Sequence, residues 1–202
     1  MKKYNKYSNI KFNVVVFASG GGGNFQALID KQIDFGYTIT LLLVDRKCGA
    51  IKRAMTNNIP FVLIEKKELK DLFFAEVKKN IPKDTNLIVL AGFLSIISDD
   101  FCKTWRGRII NSHPSLLPKY GGKGMIGVKV QEAVIKAKEN IAGCTIHYVT
   151  EKVDGGEIIL QKSINTNLNE TPWQLGNRIH KEENILLPKA IKILKKKLKN
   201  YI

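Results

Sequence analysis

The chain has few cysteines and none of the residue spacings typical of a disulfide framework or a metal site. Cys48, Cys102 and Cys144 are the only three among 202 residues, and they form no C-x-x-C pair. We therefore expect a reducing, cytoplasmic setting in which the thiols act as small hydrophobic side chains. The histidines, cysteines and acidic residues also lack ligand spacing, so no metal is expected.

Long apolar runs are absent as well. The longest, residues 87–97, is shorter than the roughly 20 residues that a bilayer span requires. Residues 1–11 are basic and polar, without the apolar core of a signal peptide. We therefore expect a flexible basic lead, with neither a signal peptide nor a membrane anchor. A hydrophobic content of 44% in 202 residues predicts a single domain spanning residues 1–202.

Acidic residues are scarce: 18 Asp and Glu stand against 33 Lys and Arg, for a net charge of +15. Such an excess can indicate a nucleic-acid partner, because clustered cations release phosphate counterions. Here the excess is mostly lysine, spread along the chain together with abundant Asn and Ile, a pattern typical of AT-rich codon usage. No zinc-finger spacing or aromatic-interleaved basic motif is present. We expect no nucleic-acid partner, but a positive field that attracts small phosphorylated or polycarboxylate substrates.

Strand and helix patterns alternate along the first half of the chain. A β-branched apolar run at residues 12–18 is typical of a strand that is covered on both faces. Further strands are predicted at residues 38–44, 61–64, 87–91 and 109–113, with helices at 49–57 and 67–79 between them. This order predicts an α/β fold with three layers: a Rossmann-like, doubly wound, mostly parallel sheet between helices.

The glycine-rich sequence SGGGGN, residues 19–24, separates the first strand from the first helix. Glycines let the backbone approach a ligand closely, and free N–H groups at a helix start favour an anion. The dinucleotide-binding fingerprint would need a small residue where Phe25 stands, and the P-loop would need G-K-[ST]; neither is present. A single phosphate monoester is therefore the favoured ligand. A tight turn without a ligand is the alternative. Asp45 follows the glycines at the spacing of the acidic residue that binds a ribose in nicotinamide-dependent enzymes. An oxidoreductase is therefore a minor alternative.

Residues 107–120, GRIINSHPSLLPKY, are the predicted centre of the chemistry. Asn111 and His113 stand two apart in a strand, so their side chains share one face. Pro114 closes the strand, which places His113 at a carboxyl end, where open α/β sheets bind ligands. An amide that can donate to an oxyanion beside an imidazole that can move a proton makes a minimal acyl-transfer site. The alternative is a buried histidine beside a turn-forming asparagine.

Three loops flank this centre. The apolar loop at residues 92–97 either packs inward or lines a pocket for a flat apolar ring. The glycine-rich residues 119–127 are expected to form a mobile lid beside His113. Asp154 precedes two glycines, and one interpretation is that it only stabilises a tight turn. The other is that the turn brings its carboxylate to His113, where it would orient the imidazole and raise its proton affinity.

The rest of the chain is predicted to form a helix at residues 131–138, strands at 143–149 and 157–163, and helix from Pro172 onward. Pro188 is expected to bend or restart that last helix. Residues 189–202 are expected to pack as an amphipathic helix with a solvated lysine face. His147 lies in a predicted strand and is interpreted as structural.

Four segments, SGGGGN, VLAGF, IINSHPSLLPKY and VDGGEIILQ, together resemble the phosphoribosylglycinamide formyltransferases of the folate-dependent formyltransferase family. The resemblance runs from about residue 12 to about residue 190. It implies transfer of a formyl group from 10-formyltetrahydrofolate to the amino group of 5-phospho-ribosylglycinamide in purine biosynthesis. It further implies a cytoplasmic enzyme, monomeric or homodimeric, that acts on small molecules without a metal.

The resemblance also assigns roles to residues. Asn111 would polarise the formyl oxygen and, with His113, stabilise the oxyanion. Asp154 would hold His113 in its protonated form and help relay a proton through water. The ribonucleotide-binding residues would be Gly21, Gly22, Gly23, Asn24, Pro114 and Glu183. The folate-binding residues would be Gly92, Phe93, Leu94, Ser95, Ile96 and Ile97.

This chain departs from the family pattern at a few positions. Serine is common in the family where Gly23 stands, arginine where Ser95 stands, and some members carry lid histidines that are absent here. His180 falls where a phosphate-contacting side chain can occur. Methionyl-tRNA formyltransferase and formyltetrahydrofolate hydrolase share the Asn, His and Asp trio but normally carry additional domains. A nonenzymatic binder of phosphate ligands or nucleic acid is the alternative from another class.

Overall fold

A seven-stranded sheet forms the centre of the computed structural model, which describes residues 11–199. Expectations for residues 1–10 and 200–202 lie outside the described residues. The strands are β1 (Asn13–Ala18), β2 (Thr38–Val44), β3 (Phe61–Leu63), β4 (Leu87–Leu90), β5 (Ile109–His113), β6 (Ile141–Tyr148) and β7 (Ile158–Asn165). The helices are α1 (Gly23–Phe35), α2 (Gly49–Thr56), α3 (Lys66–Leu69), α4 (Phe73–Asn80), α5 (Asp99–Thr104), α6 (Val128–Lys136) and α7 (Pro172–Lys199).

The order of the strands determines where a ligand can bind. The sheet runs β3-β2-β1-β4-β5-β6-β7, with β1 to β5 parallel and the pairs β5–β6 and β6–β7 antiparallel. The chain moves outward from β1 to β3 and then returns to the other side of β1 with β4. Open α/β sheets bind ligands in the crevice at such a reversal, outside the carboxyl ends of the strands.

Both faces of the sheet are covered, as the buried β1 pattern predicts. Val14, Val16 and Ala18 pack into a core cluster with residues of α1 and α7, such as Leu28 and Ile191. On the other face, side chains of β1 and β4 pack with residues of α4 and α5, Phe73 and Phe101 among them. The predicted three-layer, mostly parallel α/β sheet is therefore confirmed.

One helix prediction is wrong in detail, and one of the two alternatives given for Pro188 is excluded. The helix predicted at residues 67–79 is interrupted at Lys70, whose φ of 45° is incompatible with helix, and a 3-10 turn at Lys70–Leu72 separates α3 from α4. The last helix does not restart at Pro188, because α7 is continuous through it. Leu187, Ala190 and Ile191 pack into the core on either side of that proline, and their burial offsets the lost backbone hydrogen bond.

No helix in the described part of the chain combines the length and the apolar character needed to span a membrane.

The β6–β7 pair generates a stability prediction at Gly143. An added Cβ there would overlap the backbone carbonyl oxygen of Lys162 on β7, which cannot move without disturbing the strand pairing. We expect Gly143→Ala to lower the free energy of unfolding by about 1–3 kcal/mol, measured by urea denaturation. Gly20→Ala is the control, because a Cβ at Gly20 meets nothing within 4 Å. Equal stability of the two variants would contradict the account.

Candidate active site

One cavity of about 490 Å³ lies at the carboxyl ends of the parallel strands. Every residue that the sequence predicts to be catalytic, ribonucleotide-binding or folate-binding lines it. So do residues that the sequence did not single out for binding: Ser112, Met125, Ile126, His147, Val149, Thr150, Glu151 and Val153. The glycine loop, the central stretch, the apolar loop, the predicted lid and the turn at Asp154 thus meet around one space.

The glycine loop is held against α2. Gly22 adopts a left-handed φ of 75°, and a Cβ on it would approach the Cα of Ala50 to 2.9 Å. The N–H of Ala50 donates to the Gly20 carbonyl at 3.1 Å, and Nε of Arg53 donates to the Gly21 carbonyl at 2.8 Å. No side chain caps the start of α1, and no acidic residue lies in its first turn. Such a helix start favours a bound anion.

A buried polar cluster connects this loop to α7 and β5. Glu183 accepts a hydrogen bond from Ser112 Oγ at 2.7 Å, while its other oxygen lies 3.1 Å from His180 Nδ1 and 3.5 Å from Asn24 Nδ2. Asn24 Oδ1 is buried and has no partner among the described residues. Because a buried unpaired acceptor is costly, this oxygen fits a ligand that brings a hydroxyl or N–H donor.

His180 occupies the space that a side chain at position 23 would need. A Cβ added to Gly23 would overlap His180 Nε2. The glycine at position 23 and the histidine at position 180 are therefore sterically matched in this chain, and the imidazole edge borders the glycine loop.

The structure brings Asn111, His113 and Asp154 together. His113 ends β5, and its Nε2 lies 2.8 Å from the Tyr120 carbonyl oxygen, which can only accept, so Nε2 carries a proton. Nδ1 of the same ring lies 3.5 Å from Asp154 Oδ2. The ring can donate toward Asp154 only when Nδ1 is also protonated, that is, as the imidazolium. Asp154 Oδ2 also accepts from the backbone N–H of Gly122 at 2.9 Å.

The interpretation of His147 as merely structural missed its place in this site. His147 Nε2 lies 3.2 Å from Asn111 Nδ2 and 3.6 Å from Asp154 Oδ1. Burial lowers the pKa of His147, against the opposing effects of its hydrogen bond to the Tyr148 backbone and of the Asp154 carboxylate. The signal that could have located it is the antiparallel pairing of β6 with β5, which sets His147 opposite Asn111.

The apolar loop both packs inward and lines the cavity. Phe93 is buried and meets the Phe17 ring edge-on at 5.3 Å, and Ile97 is buried beside it in the same core cluster. Leu94 and Ile96 remain 42% and 54% exposed along the cavity, where they offer an apolar surface. Ser19 Oγ accepts from the Leu94 N–H at 2.9 Å, which attaches this loop to the start of the glycine loop.

Asp45 has partners that leave it unsuited to a ribose. Both its oxygens accept from Arg46 at 3.0 Å, and Oδ2 also accepts from Ser95 Oγ at 2.6 Å. Burial tends to raise the pKa of Asp45, but hydrogen bonds from Arg46, Ser95 and Ser19 outweigh it and hold the pKa below 3.8. The nicotinamide-enzyme alternative therefore lacks a free carboxylate at position 45 that could bind a ribose. The Ser95 hydroxyl, at the edge of the cavity, is directed toward Asp45.

Within residues 11–199, no three His, Cys, Asp or Glu side chains are grouped so as to hold a metal ion.

Comparisons with known proteins agree on one family. The sequence profile described as formyl transferase matches residues 12–191. The chain is 38% identical over 189 residues to the trifunctional purine biosynthetic protein adenosine-3 of Drosophila melanogaster, covering 90% of this chain but 14% of that protein. It is 36% identical to phosphoribosylglycinamide formyltransferase of Bacillus subtilis, covering 89% of this chain and 92% of the relative.

Solved structures give the same result. The phosphoribosylglycinamide formyltransferase of Coxiella burnetii superposes with a TM-score of 0.83 at 34% identity, over 91% of this chain and 86% of that one. The chain covers only 14% to 19% of the length of the trifunctional relatives.

The Asp45 cluster generates a prediction about pH. Because the folded pKa lies below 3.8, the carboxylate contributes stability at pH values above that, and the contribution is lost as pH falls through the folded pKa. We expect Asp45→Asn to lower the free energy of unfolding near pH 7, with a deficit relative to wild type that shrinks as the pH falls below the ordinary range of an aspartate, measured by urea denaturation. Asp71→Asn, at an exposed aspartate, controls for the loss of one negative charge. A deficit that is constant with pH would contradict the assignment.

Proposed function

The chain belongs to the formyl transferase family, and we propose that it transfers a formyl group from 10-formyltetrahydrofolate to the amino group of 5-phospho-ribosylglycinamide in purine biosynthesis. One observation carries the proposal. A single cavity joins the glycine loop, an amide–imidazole–carboxylate group and an apolar loop. The names of the Bacillus and Coxiella relatives support the same reaction. We also propose that the chain acts as one domain.

The ribonucleotide would bind at the glycine-loop end. Its phosphate would accept from the backbone of Gly21, Gly22, Gly23 and Asn24. The unpartnered Asn24 Oδ1 and the buried Glu183 carboxylate would accept from the ribose hydroxyls and the glycinamide N–H. Pro114, whose carbonyl accepts from Gln131 Nε2 at 3.3 Å, would border the glycinamide. The substrate amine then lies between Glu183 and His113.

The formylated folate would bind at the opposite end. Leu94 and Ile96 offer exposed apolar side chains for its ring, while Gly92, Phe93, Ser95 and Ile97 hold the loop in place. Val149, Thr150, Glu151 and Val153 also line the cavity. The folate is a co-substrate that carries the formyl group.

The reaction requires one bond to form, one to break and one proton to move. The amine nitrogen attacks the formyl carbon, and Asn111 Nδ2–H and His113 Nδ1–H donate to the resulting oxyanion. His113 Nδ1 lies 3.5 Å from Asp154 Oδ2, which is long for a hydrogen bond, so the same N–H can also turn toward the oxyanion. A proton passes from the amine, through water and the Asp154–His113 pair, to the folate nitrogen as its bond to the formyl carbon breaks.

An assay with purified protein, glycinamide ribonucleotide and 10-formyltetrahydrofolate tests the proposal by following the absorbance of the deformylated folate. We expect turnover that depends on both substrates and yields the formylated ribonucleotide. Folate deformylation without the ribonucleotide would instead favour the hydrolase of the same family. No consumption of either substrate would contradict the proposal.

Asp154→Asn is expected to reduce turnover by about a hundredfold or more, because general acid–base assistance is typically worth that much. The carboxamide keeps an oxygen that can accept from the Gly122 N–H, so the fold should survive, as checked by circular dichroism. Glu157→Gln is the matched control, since Glu157 is an exposed carboxylate in the same connection. Near wild-type turnover of Asp154→Asn would remove this residue from the mechanism.

Gly23→Ser is expected to raise the KM for the ribonucleotide about tenfold with little change in kcat, because the new side chain displaces the His180 ring from the phosphate end. His180→Ala in the same chain removes the overlap. The double variant should therefore bind the ribonucleotide more tightly than expected from adding the losses in binding free energy of the two single variants. Strictly additive losses in steady-state kinetics would show that the two positions are independent.

A further inference from the structure

His147 and Asn111 are direct partners across the antiparallel pair β5–β6. Residues opposite each other in such a pair project to the same face of the sheet, and here His147 Nε2 lies 3.2 Å from Asn111 Nδ2. His147 is 2% exposed, so water does not compete for the imidazole. The amide that is proposed to hold the oxyanion is thus in contact with a buried histidine that no step of the reaction uses.

The backbone determines which ring nitrogen of His147 carries the proton. Nδ1 lies 2.8 Å from the Tyr148 carbonyl oxygen, and a carbonyl can only accept, so Nδ1 is the donor. In the neutral ring, Nε2 is then a lone pair that can only accept. The Asn111 carboxamide must therefore present its NH₂ group, and not its oxygen, to His147.

We propose that His147 is a positioning residue, whose Nε2 lone pair holds the Asn111 carboxamide in the one orientation that aims the second Nδ2–H at the formyl oxygen. This inference rests on the proposed function. If the carboxamide turned over, Oδ1 would replace Nδ2 on the side of the cavity and repel the oxyanion instead of donating to it. The two ends of a carboxamide have nearly the same shape, so the hydrogen-bond partner of each end determines which way it faces.

The charged groups around His147 are compatible with a neutral ring. Asp154 Oδ1 lies 3.6 Å from Nε2, which exceeds hydrogen-bond distance, and Asp154 Oδ2 already faces Gly122 N–H and His113 Nδ1. A proton on His147 Nε2 would remove the acceptor that Asn111 uses. Asp154 thus lies between two imidazoles with different tasks: His113 supplies protons, and His147 supplies a lone pair.

Two substitutions separate the two ring nitrogens. His147→Asn can place its amide NH₂ where Nδ1 stands and keep the bond to Tyr148, but it leaves no acceptor for Asn111. His147→Gln can place its oxygen where Nε2 stands and restore that acceptor. We expect His147→Asn to lower kcat at least about tenfold, with KM for both substrates within about twofold, and His147→Gln to recover most of the loss.

Cys144→Ala is the control for disturbance of the same strand, because Cys144 packs into the core on the opposite face of β6. It should reduce stability and leave kcat unchanged. If the asparagine and glutamine variants lost kcat equally, or in proportion to their loss of stability, His147 would be structural and the inference would be overturned.

Nitrogen-15 NMR of the ligand-free wild-type protein tests the inference without any assay or variant of His147. We expect the Nδ1–H tautomer, an Nε2 that accepts a hydrogen bond, and a side-chain NH₂ signal of Asn111 shifted by that bond and identified by its loss in Asn111→Ser. An Nε2–H tautomer would overturn the inference, even if formyl transfer were observed. Absence of formyl transfer with the expected tautomer would instead place the failure in the proposed function.

Discussion

The carboxylate of Asp154, whose side chain is only 10% exposed, is the group on which the arrangement of the site depends. It accepts from the Gly122 N–H and lies between His113 and His147, at 3.5 Å and 3.6 Å respectively. A carboxylate that is withdrawn from water is stable only where donors or a cation surround it. The predicted lid, the end of β5 and the middle of β6 are therefore connected through one side chain.

The sheet explains why these groups meet at all. The reversal of strand order at β1 opens a crevice between the ends of β1 and β4, and the glycine loop and the apolar loop leave the sheet from those two strands. A hydrogen bond between Ser19 and Leu94 holds the two loops together. The antiparallel strand β6 then brings His147 and the turn at Asp154 toward β5. The glycine loop and the apolar loop consequently share one cavity with Asn111, His113 and Asp154.

Features that follow from local chemistry could be predicted from the sequence. The two-residue spacing of Asn111 and His113, the strand–glycine–helix order and the apolar strands each depend on neighbouring residues alone. Contacts between segments that are distant in the sequence could not be predicted in this way. Neither the meeting of Asn111 with His147 nor the fit of Gly23 to His180 has a local pattern, because one depends on strand register and the other on the packing of α7 against α1. The interruption at Lys70 and the continuity of α7 through Pro188 likewise reflect tertiary packing over local preference.

A crystal structure of the protein with glycinamide ribonucleotide and a non-reactive folate analogue tests the central claim most directly. The account predicts the phosphate against the backbone of residues 21–24, the amine beside Asn111 and His113, and the folate ring against Leu94 and Ile96. A ribonucleotide bound outside this cavity, or reversed so that its phosphate lies against the apolar loop, would contradict it.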